Sequence, residues 1–361
     1  MKNKNILWIA LFTTFLIGCS KTSENEITEI DMERPQGINM PYYGDVDFQL
    51  PIVPEYIGNE ASAATRGQTI KVQPGTNQLQ NIINNASAGT TIKLRPGSHI
   101  EDNTLVINHE VHLRGYDDAS LILNGEMGLA IIEADDVSIK DLTITTTNNS
   151  VLGIGVEDSE DFEFKRNVMN EFLVAIVLEQ AYKASITENT VVGIDQVDGL
   201  GIVAMNGERV SIRYNTVSGS AFGVWACDKN GRVYNNEFYN NWMGLILCKV
   251  PPGSFSPFFT IGNGGADFPC TEWKAKRNYS HDNVWGYVVI DGAKDNILSG
   301  NEAADNSFID LELMDETFNL FAELTPGSFT NTVFAGELDY IDCGEDNKIY
   351  GGNELGLSCT D

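Results

Sequence analysis

The sequence Ile186-Thr187-Glu188-Asn189-Thr190-Val191 contains the pattern that decides the fold: an apolar residue, two further residues, an Asn, any residue and then usually another apolar one. The pattern occurs seven times, and its apolar residue and Asn are Phe164 and Asn167, Ile186 and Asn189, Ile212 and Asn215, Val233 and Asn236, Ala275 and Asn278, Leu298 and Asn301, and Tyr350 and Asn353. Successive Asn residues are 22, 26, 21, 42, 23 and 52 positions apart. A period in the low twenties is too short for a helical-hairpin repeat and predicts a solenoid of β-coils, each of which buries its apolar residues by stacking on its neighbours.

Asn suits the corner of such a coil for two reasons. It tolerates the left-handed backbone conformation that a sharp bend needs. Identical Asn side chains on successive coils can also stack into a ladder of amide hydrogen bonds. The recurring Asn therefore predicts a corner at the same place in each coil.

A second pattern precedes most of these motifs by ten to twelve residues. It is a small residue within an apolar run, at Gly153, Ala175, Gly201, Gly223, Gly244 and Gly286. The residues one before, one after and three after it are apolar, which predicts a strand with one apolar face toward the core. We expect this strand, and another just before the Asn, to stack in parallel on neighbouring coils at about 4.8 Å.

The other face of that strand is predicted to point outward, because alternate strand residues face opposite sides. This face is expected to contain the small residue and the residues two and four after it, which are almost all apolar, namely Val177, Val203, Trp225, Ile246, Val288, Glu179, Met205, Cys227, Cys248 and Ile290. An apolar patch of this length needs a cover. The sequence leaves two covers open: the chain's own tether or insertion, and a partner protein or apolar ligand.

Two insertions interrupt the repeat. The small residue and the apolar residue of the Asn motif are 11 positions apart for Ala175 and Ile186, but 31 apart for Gly244 and Ala275. This difference predicts a loop near residues 250–272, and the 52-residue spacing predicts another near residues 315–343. Long loops on a regular scaffold often carry function.

The N-terminus has the pattern of an export signal. Two Lys residues precede an apolar run that is too short to span a bilayer comfortably and ends in Leu16-Ile17-Gly18-Cys19. This ending resembles a bacterial lipobox, which implies cleavage after residue 18 and acylation of Cys19. Residues 19–67 are then expected to be a tether, and the protein a lipid-anchored component of the bacterial cell envelope, at the outer membrane or cell surface.

Residues 68–361 are expected to form the solenoid. Leu79, Ile82, Ile83 and Ala86 have helical spacing and predict a short helix that caps the open end of the coils. With this cap and the Asn-marked coils, the chain resembles the right-handed parallel β-helix superfamily, which includes pectin-lyase-like enzymes and NosD-like repeat proteins. The resemblance implies an all-β, right-handed parallel β-helix solenoid with two loop insertions, and it is specific for fold rather than for activity.

The resemblance does not decide whether the protein is an enzyme. The sequence contains no complete signature of an alginate epimerase, a polygalacturonase or a pectate lyase. If the protein is catalytic, a polysaccharide lyase or epimerase activity is implied, with Lys249 or His281 as the proton-abstracting base and Asp228 as the acid or a cation ligand. Aromatic and basic residues around the first insertion predict a glycan site composed of Trp225, Lys249, Trp273, Lys274, Tyr279 and Asp291.

The charge balance narrows the range of partners. The chain has 51 acidic and 23 basic residues, for a net charge of −28. Such a surface repels polyanions, so nucleic acid is not the expected partner, and polyuronates are disfavoured as well unless Ca²⁺ bridges them. Acidic clusters can also attract Ca²⁺, and Glu157, Asp158 and Asp161 are weak candidates for ligands, although a solvated acidic face explains them as well.

Six Cys residues suit an oxidising, exported setting. Cys343 and Cys359 bracket the last coil and are expected to form a disulfide. Of the other three thiols, Cys248 and Cys270 would close the first insertion at its base, and Cys227 with Cys248 is the competing pair.

Two functions remain open from the sequence. The first is a membrane-anchored lipoprotein that binds extracellular polysaccharide and, if it is an enzyme, also cleaves or epimerises it. The second is a non-catalytic scaffold whose apolar sheet face docks a protein of the cell envelope. The missing catalytic signatures favour the second function, whereas the superfamily and the aromatic insertion favour the first.

The lipid anchor depends on one thiol. Replacing it in Cys19→Ala should move the full-length protein from the detergent phase to the aqueous phase in a detergent-partition experiment, because the acylated sulfur is lost. Unchanged partitioning of Cys19→Ala would refute the anchor.

Overall fold

The computed structural model describes residues 67–148, 152–248, 269–314, 327–357 and residue 359. These ranges contain one helix, α1 (Leu79–Asn85), and 29 strands. In chain order the strands are β1 (Thr69–Val72), β2 (Gly75–Thr76), β3 (Thr90–Leu94), β4 (Gly97–Glu101), β5 (Leu105–Ile107), β6 (Val111–Gly115), β7 (Ala119–Leu123), β8 (Met127–Ile132), β9 (Ser138–Lys140), β10 (Thr143–Thr145), β11 (Leu152–Glu160), β12 (Glu163–Lys165), β13 (Val168–Phe172), β14 (Val174–Tyr182), β15 (Ser185–Thr187), β16 (Thr190–Glu208), β17 (Ser211–Arg213), β18 (Thr216–Lys229), β19 (Arg232–Tyr234), β20 (Glu237–Tyr239), β21 (Met243–Leu247), β22 (Lys274–Lys276), β23 (Tyr279–His281), β24 (Trp285–Val289), β25 (Ile297–Ser299), β26 (Glu302–Ala304), β27 (Ile309–Leu313), β28 (Thr332–Asp342) and β29 (Lys348–Glu354).

The strands stack in parallel as three sheets that run along the solenoid. The first sheet contains β1, β3, β6, β9, β12, β15, β17, β19, β22, β25 and the starts of β28 and β29. The second contains β2, β4, β7, β10, β13, the starts of β16 and β18, β20, β23 and β26. The third contains β5, β8, β11, β14, the ends of β16 and β18, β21, β24, β27 and the end of β28. The predicted all-β parallel solenoid is confirmed.

The predicted helical cap is also present. Leu79 and Ile83 of α1 are buried in the core, and the Gln80 side-chain amide bonds both backbone groups of Val106 on β5 at 2.7 and 3.0 Å. The Glu101 carboxylate accepts the backbone N–H of Leu79 at 2.8 Å and so satisfies a free donor at the start of the helix. No helix within the described ranges is long and apolar enough to cross a membrane.

A buried ladder of Asn amides runs along the corner between the first and second sheets. The ladder residues are Asn167, Asn189, Asn215, Asn236, Asn278 and Asn301. In a typical step, the backbone N–H and the side-chain Nδ2 of Asn189 both donate to Asn215 Oδ1 at 2.9 Å, while Asn215 Nδ2 donates to Ile186 O at 2.9 Å. Each interior amide thus uses both its oxygen and its nitrogen, which is why it can be buried without penalty.

Shorter ladders occupy the other two corners toward the C-terminal end. Asn241, Asn283 and Asn306 connect successive coils between the second and third sheets, and Asn296, Asn331 and Asn347 do so between the third and first sheets. Asn353, by contrast, is exposed, and its Nδ2 donates to Asp339 Oδ1 at 2.8 Å. The last of the seven sequence motifs therefore does not belong to the ladder.

The expectation that the ladder Asn takes the left-handed conformation is wrong. The residue before it does so instead, with φ of 53° at Arg166, 59° at Glu188, 56° at Tyr214 and 54° at Arg277. The ladder Asn must turn its own N–H and its amide toward the neighbouring coil, so the bend is made one residue earlier. This geometry costs about 1–2 kcal/mol at each residue with a side chain, and the ladder bonds help to offset it.

The second insertion is shorter than the sequence predicts. Thr332–Asp342, within the expected loop 315–343, forms β28, and Thr332 pairs with Ile297 while Tyr340 pairs with Leu311. The 52-residue spacing therefore contains another coil, which was missed because its corner Asn, Asn331, belongs to a different ladder. Residues 315–326 lie outside the described ranges.

The first insertion returns to the coil early. Cys270 N–H donates to Cys248 O at 2.9 Å, and Thr271 forms a parallel bridge with Lys229. Within the predicted loop 250–272, residues 269–272 therefore follow the path of the coil, and residues 250–268 are not described.

The small residue of the second pattern marks a tight corner. A Cβ on Gly223 would lie 2.5 Å from Gly244 O, and a Cβ on Gly201 would lie 2.7 Å from the core atom Val217 Cγ1. The small residue thus faces the interior, so the residue before it turns outward. Phe222, for example, packs edge-on against outward Trp225 at 4.9 Å between ring centroids. The predictions that the preceding position points inward and that the small residue points outward are therefore both wrong.

The ladder makes a direct stability prediction. In Asn215→Ala, the N–H and Nδ2 donors of Asn189 lose their buried acceptor, so the free energy of unfolding should fall by at least about 1–3 kcal/mol. The exposed Asn353→Ala is the matched control and should change it by less than about 0.5 kcal/mol. Urea denaturation followed by circular dichroism measures both, and equal effects of the two substitutions would contradict the ladder's role.

Candidate functional site

A line of cationic side chains runs along the outer face of the first sheet. From β1 to β22, the last outward position of each strand in this sheet is occupied in turn by Lys71, Lys93, Arg114, Lys140, Lys165, Thr187, Arg213, Tyr234 and Lys276. Seven of these nine residues are Lys or Arg, and register pairing places each one opposite the next. Neighbouring positions are therefore separated by one strand spacing of about 4.8 Å.

This face collects most of the basic residues that the structure describes. Ten of the 17 Lys and Arg residues in those ranges lie on it: the seven above with Arg232, Lys274 and Lys348. Glu163 is the one acidic residue at the same outward positions of the strands in these ranges. A chain with a net charge of −28 therefore presents one face of opposite sign.

Three consecutive cations in the first half of this line are neutralised within the protein. Lys140 Nζ lies 2.5 Å from Glu163 Oε2, and Lys165 Nζ lies 3.2 Å from Glu188 Oε1. Arg114 Nε similarly bonds the Asp141 carboxylate at 2.9 Å. The carboxylates come from the next coil, so stacked like charges are balanced where these pairs occur.

The second half of the line has no such balance. Four of its cations form no ion pair with any residue in the described ranges: Arg213, Arg232, Lys274 and Lys276. We call these four residues together with Tyr234 the basic patch. Arg232 is directly opposite Lys274, and Tyr234 lies between Arg213 and Lys276. Outward residues of one short strand share a face, so the five side chains form one continuous surface.

A groove of about 430 Å³ borders the basic patch at the corner before β19 and β22. It is lined by Arg209, Asn230, Gly231, Arg232, Glu272, Lys274, Asp295 and Ile297. Gly231 forms part of the groove and packs directly against the buried ring of Trp273. A Cβ atom added to Gly231 would lie only 2.1 Å from that ring. A larger side chain at residue 231 would therefore clash with Trp273, so this position of the groove requires Gly.

An aromatic stack continues the same surface around the corner onto the second sheet. The His281 ring lies between Tyr239, at 5.4 Å between ring centroids and 10° between planes, and Tyr279, at 4.5 Å and 24°. Tyr279 is 39% exposed. Of the predicted site residues, Lys274 thus belongs to the basic patch, and Tyr279 and His281 lie next to it on the second sheet.

The contacts of His281 suit binding better than proton abstraction. Its Nδ1 lies 2.7 Å from Asp282 Oδ2, and its Nε2 lies 3.3 Å from Glu237 Oε1. A general base needs a ring nitrogen that can reach the substrate proton. Both nitrogens here face carboxylates of the protein itself, so the predicted role of His281 as a base gains no support from this geometry.

The two Trp residues that were expected to stack on sugars are buried. Trp225 is 1% exposed on the outer face of the third sheet, and Trp273 is 0% exposed, with its Nε1 donating to Asp228 O at 3.0 Å. Neither indole offers a free face to a glycan, because the chain itself covers both. Lys249, the other predicted base and ligand contact, lies outside the described residues.

The predicted acidic residues of the site are buried as well. Asp228 is fully buried, and neither carboxylate oxygen has a hydrogen-bond partner within the described structure. Burial raises the pKa of this carboxyl well above its usual range. Asp291 is 1% exposed. Asp228 lies near the end of β18 and Asp291 in the turn after β24, whereas Lys274 is on β22 and Tyr279 and His281 are on β23.

The apolar face of the third sheet is covered within the single chain. Val203, Ile246 and Val288 on this face are all at most 1% exposed, as are Met205 and Ile290. The outer face of the third sheet is therefore buried in the single chain. A scaffold that docks partners on a bare apolar sheet is therefore not supported.

The structure does not gather the calcium candidates into a site. Glu157 is buried toward the outer face of the third sheet, whereas Asp158 and Asp161 are exposed residues with left-handed backbone. In the parts of the chain that the structure describes, no group of three or more His, Cys, Asp or Glu residues is placed to hold a metal ion.

One predicted disulfide is present and another is not. Cys343 and Cys359 are bonded, with their Cα atoms 5.5 Å apart. Cys227, Cys248 and Cys270 are free thiols, so the expected pair of Cys248 and Cys270 is not formed. The disulfide between Cys343 and Cys359 joins the end of β28 to the last described residue, as the sequence predicts.

The basic patch was missed by the sequence analysis, although a signal for it was present. Arg213, Tyr234 and Lys276 each follow the apolar residue of the Asn motif directly, and Arg232 and Lys274 each precede it directly. Aligning the repeats on the Asn would have placed these residues in two columns. Both columns flank the apolar position of the repeat, which is the position that predicts the core.

Comparison with known families gives one partial match. Residues 121–250 match the family model described as periplasmic copper-binding protein (NosD), which is 130 of the 361 residues. A search of curated proteins gives no match.

Solved structures give broader similarity. The polygalacturonase from Erwinia carotovora ssp. carotovora is 10% identical, with a TM-score of 0.52, over 87% of this chain and 99% of that chain. A periplasmic alginate epimerase is 14% identical, with a TM-score of 0.49, over 80% and 86% of the two chains. A pectate lyase is 11% identical, with a TM-score of 0.48, over 81% and 79%. At these identities, the similarity to the polygalacturonase shows the fold alone.

The buried Asp228 makes a pH-dependent prediction. Its raised pKa means that the folded protein holds the proton more tightly than the unfolded chain does. The contribution of Asp228 to the free energy of unfolding is therefore complete below its pKa in the unfolded chain, about 3.9. This contribution is lost as the pH rises through its pKa in the folded protein. Asp228→Asn removes this ionisation, so the variant should be more stable than the parent at about pH 8, by a margin that shrinks toward about pH 4.

Chemical denaturation across this pH range measures the difference between parent and variant. Asp117→Asn, which changes an exposed carboxyl, is the control and should show no comparable trend. A margin for Asp228→Asn that does not change with pH would show that Asp228 titrates normally.

Proposed function

We propose that this right-handed parallel β-helix protein binds anionic extracellular polysaccharide through the basic patch. The observation that carries the proposal is the set of four cations, Arg213, Arg232, Lys274 and Lys276, that have no ion pair in the described structure. Elsewhere on the same face, the cations of Lys140 and Lys165 are matched by carboxylates of the next coil. Unmatched, closely spaced cations favour a ligand that supplies the missing negative charges.

The geometry favours a linear ligand. Successive coils repeat the cationic positions at about 4.8 Å along the solenoid, so a polymer with regularly spaced carboxylates can contact several coils at once. Arg232 and Lys274 also border the groove, which gives the ligand a recess beside the flat sheet. Contacts on several coils add up, so a polymer should bind more tightly than a single sugar acid.

The aromatic stack supplies the second type of contact. Sugar rings have apolar faces that pack on aromatic side chains, and Tyr279 is an exposed ring at the end of the patch. His281 holds a fixed position between the two Tyr rings and two carboxylates. It therefore shapes the surface instead of acting as a base.

The fold is consistent with this ligand. A polygalacturonase shares the architecture, which supports a polysaccharide as the class of ligand without deciding whether it is cleaved. The proposed setting is the bacterial cell envelope, with the protein held to the membrane by the lipid on Cys19. The export signal and Cys19 lie outside the described residues, so this part rests on the sequence.

The proposal predicts charge-selective binding. Isothermal titration calorimetry should detect binding of polygalacturonate or alginate, and weaker or no binding of an uncharged glucan of similar length. Because each Lys or Arg contributes a charge-assisted hydrogen bond of about 1.5–3 kcal/mol, Lys274→Ala should weaken binding by about tenfold or more. Raising the salt concentration should weaken it further by screening.

Lys71→Ala is the matched control, because Lys71 is exposed on the same face at the far N-terminal end. It should bind as tightly as the parent. Equal losses for Lys71→Ala and Lys274→Ala, or a preference for the uncharged glucan, would contradict the proposal. The same titrations, followed by ultraviolet absorbance for unsaturated uronate products, show whether a bound polymer is cleaved by elimination.

A further inference from the structure

Two of the three free thiols are in contact. Cys227 Sγ and Cys248 Sγ lie 3.0 Å apart on the outer face of the third sheet, and both residues are fully buried. Neither thiol takes part in the basic patch or in any step of the proposed binding. Their contact therefore needs an explanation of its own.

The strand register brings the two residues opposite each other. Ala226 pairs with Leu247, so the next residue on each strand is Cys227 on one coil and Cys248 on the other. Cys248 N–H donates to Ala226 O at 3.1 Å, which continues the parallel pairing. Adjacent strands are about 4.8 Å apart, within the Cα separation of about 4.4–6.8 Å that a disulfide requires.

The third thiol points elsewhere. Cys270 packs in the interior cluster of apolar side chains, which includes neither Cys227 nor Cys248. Its Sγ lies 3.6 Å from Asn296 Oδ1 in the ladder between the third and first sheets. The backbone of Cys270 is next to that of Cys248, but their side chains lie on opposite faces of the coil wall. A bond between Cys248 and Cys270 would require one of them to turn through the wall.

We propose that Cys227 and Cys248 form a disulfide that joins two neighbouring coils when the protein folds in an oxidising compartment. The oxidant is a protein or small-molecule disulfide. One Cys thiolate attacks it to give a mixed disulfide and release one sulfur of the oxidant as a thiolate, and the second Cys thiolate then attacks the mixed disulfide and releases the other sulfur. Two thiols of this chain lose two protons and two electrons, and the oxidant's disulfide gains them.

The burial of the site determines when this exchange can occur. Desolvation raises the pKa of the Cys227 thiol from 9.0 to about 11, and burial raises the pKa of the Cys248 thiol as well. Thiolate is the attacking species, so the folded face is nearly inert. The bond therefore forms while the coils are still assembling, and the folded protein then shields it from reductants.

The three Cys residues can be distinguished by digestion. Trypsin cuts after Arg213, Lys229, Arg232, Lys249 and Lys274, so Cys227, Cys248 and Cys270 fall in peptides 214–229, 233–249 and 250–274. The test uses the full chain carrying Cys19→Ala, exported to an oxidising compartment and purified without reductant. It is then unfolded in guanidinium with excess N-ethylmaleimide, digested and analysed by mass spectrometry.

The expected result is peptide 214–229 linked to peptide 233–249, with maleimide on Cys270. Maleimide on all three residues, or a link between peptides 233–249 and 250–274, would overturn the proposal. In the control Cys270→Ala, the expected link should persist. In Cys227→Ala, Cys248 should carry maleimide. If either variant fails to fold, the chain that carries only Cys19→Ala still tests the proposal.

Discussion

The stacked hydrogen bonds of the buried Asn amides are the interaction on which the rest of this structure depends. At each step, one Asn oxygen accepts two donors from the preceding coil, and one Asn nitrogen reaches back to a carbonyl of that coil. These bonds fix both the distance between coils and their rotation about the solenoid axis. A coil shifted by one residue would bury unpaired amides, which is costly.

The fixed register converts a repeat in sequence into columns on the surface. Each outward position of the first sheet meets its equivalent on the next coil, so scattered Lys and Arg residues become a continuous cationic line. The same register places Cys227 beside Cys248 on the third sheet. The proposed binding surface and the proposed disulfide are therefore both consequences of one constraint on coil stacking.

Much of the fold could be predicted because the Asn spacing and the apolar alternation are local signals. Two features of the corners could not. Whether Asn215 or Tyr214 takes the left-handed conformation depends on hydrogen bonds to another coil, and the outward turn of Phe222 depends on how tightly Gly223 approaches Gly244. Neither contact affects the spacing of residues along the chain, so neither can be predicted from that spacing.

The candidate site was predicted less well, because burial by distant segments cannot be read from the sequence. Trp225 and Asp228 have the chemistry of a sugar site, yet both are enclosed within the chain. Lys274 and Tyr279 are exposed near the first insertion, but Arg232, which lies opposite Lys274, comes from the preceding coil, 42 positions earlier. The repeat alignment connects them, whereas proximity in sequence does not.

The central claim is that coil register creates a linear binding surface for a polyanion, and a crystal structure with a bound oligogalacturonate tests it most directly. The account predicts that the oligosaccharide lies across successive coils of the first sheet, with carboxylates within hydrogen-bond distance of Arg232 and Lys274. An oligosaccharide bound on the second or third sheet without contact to either residue would contradict it.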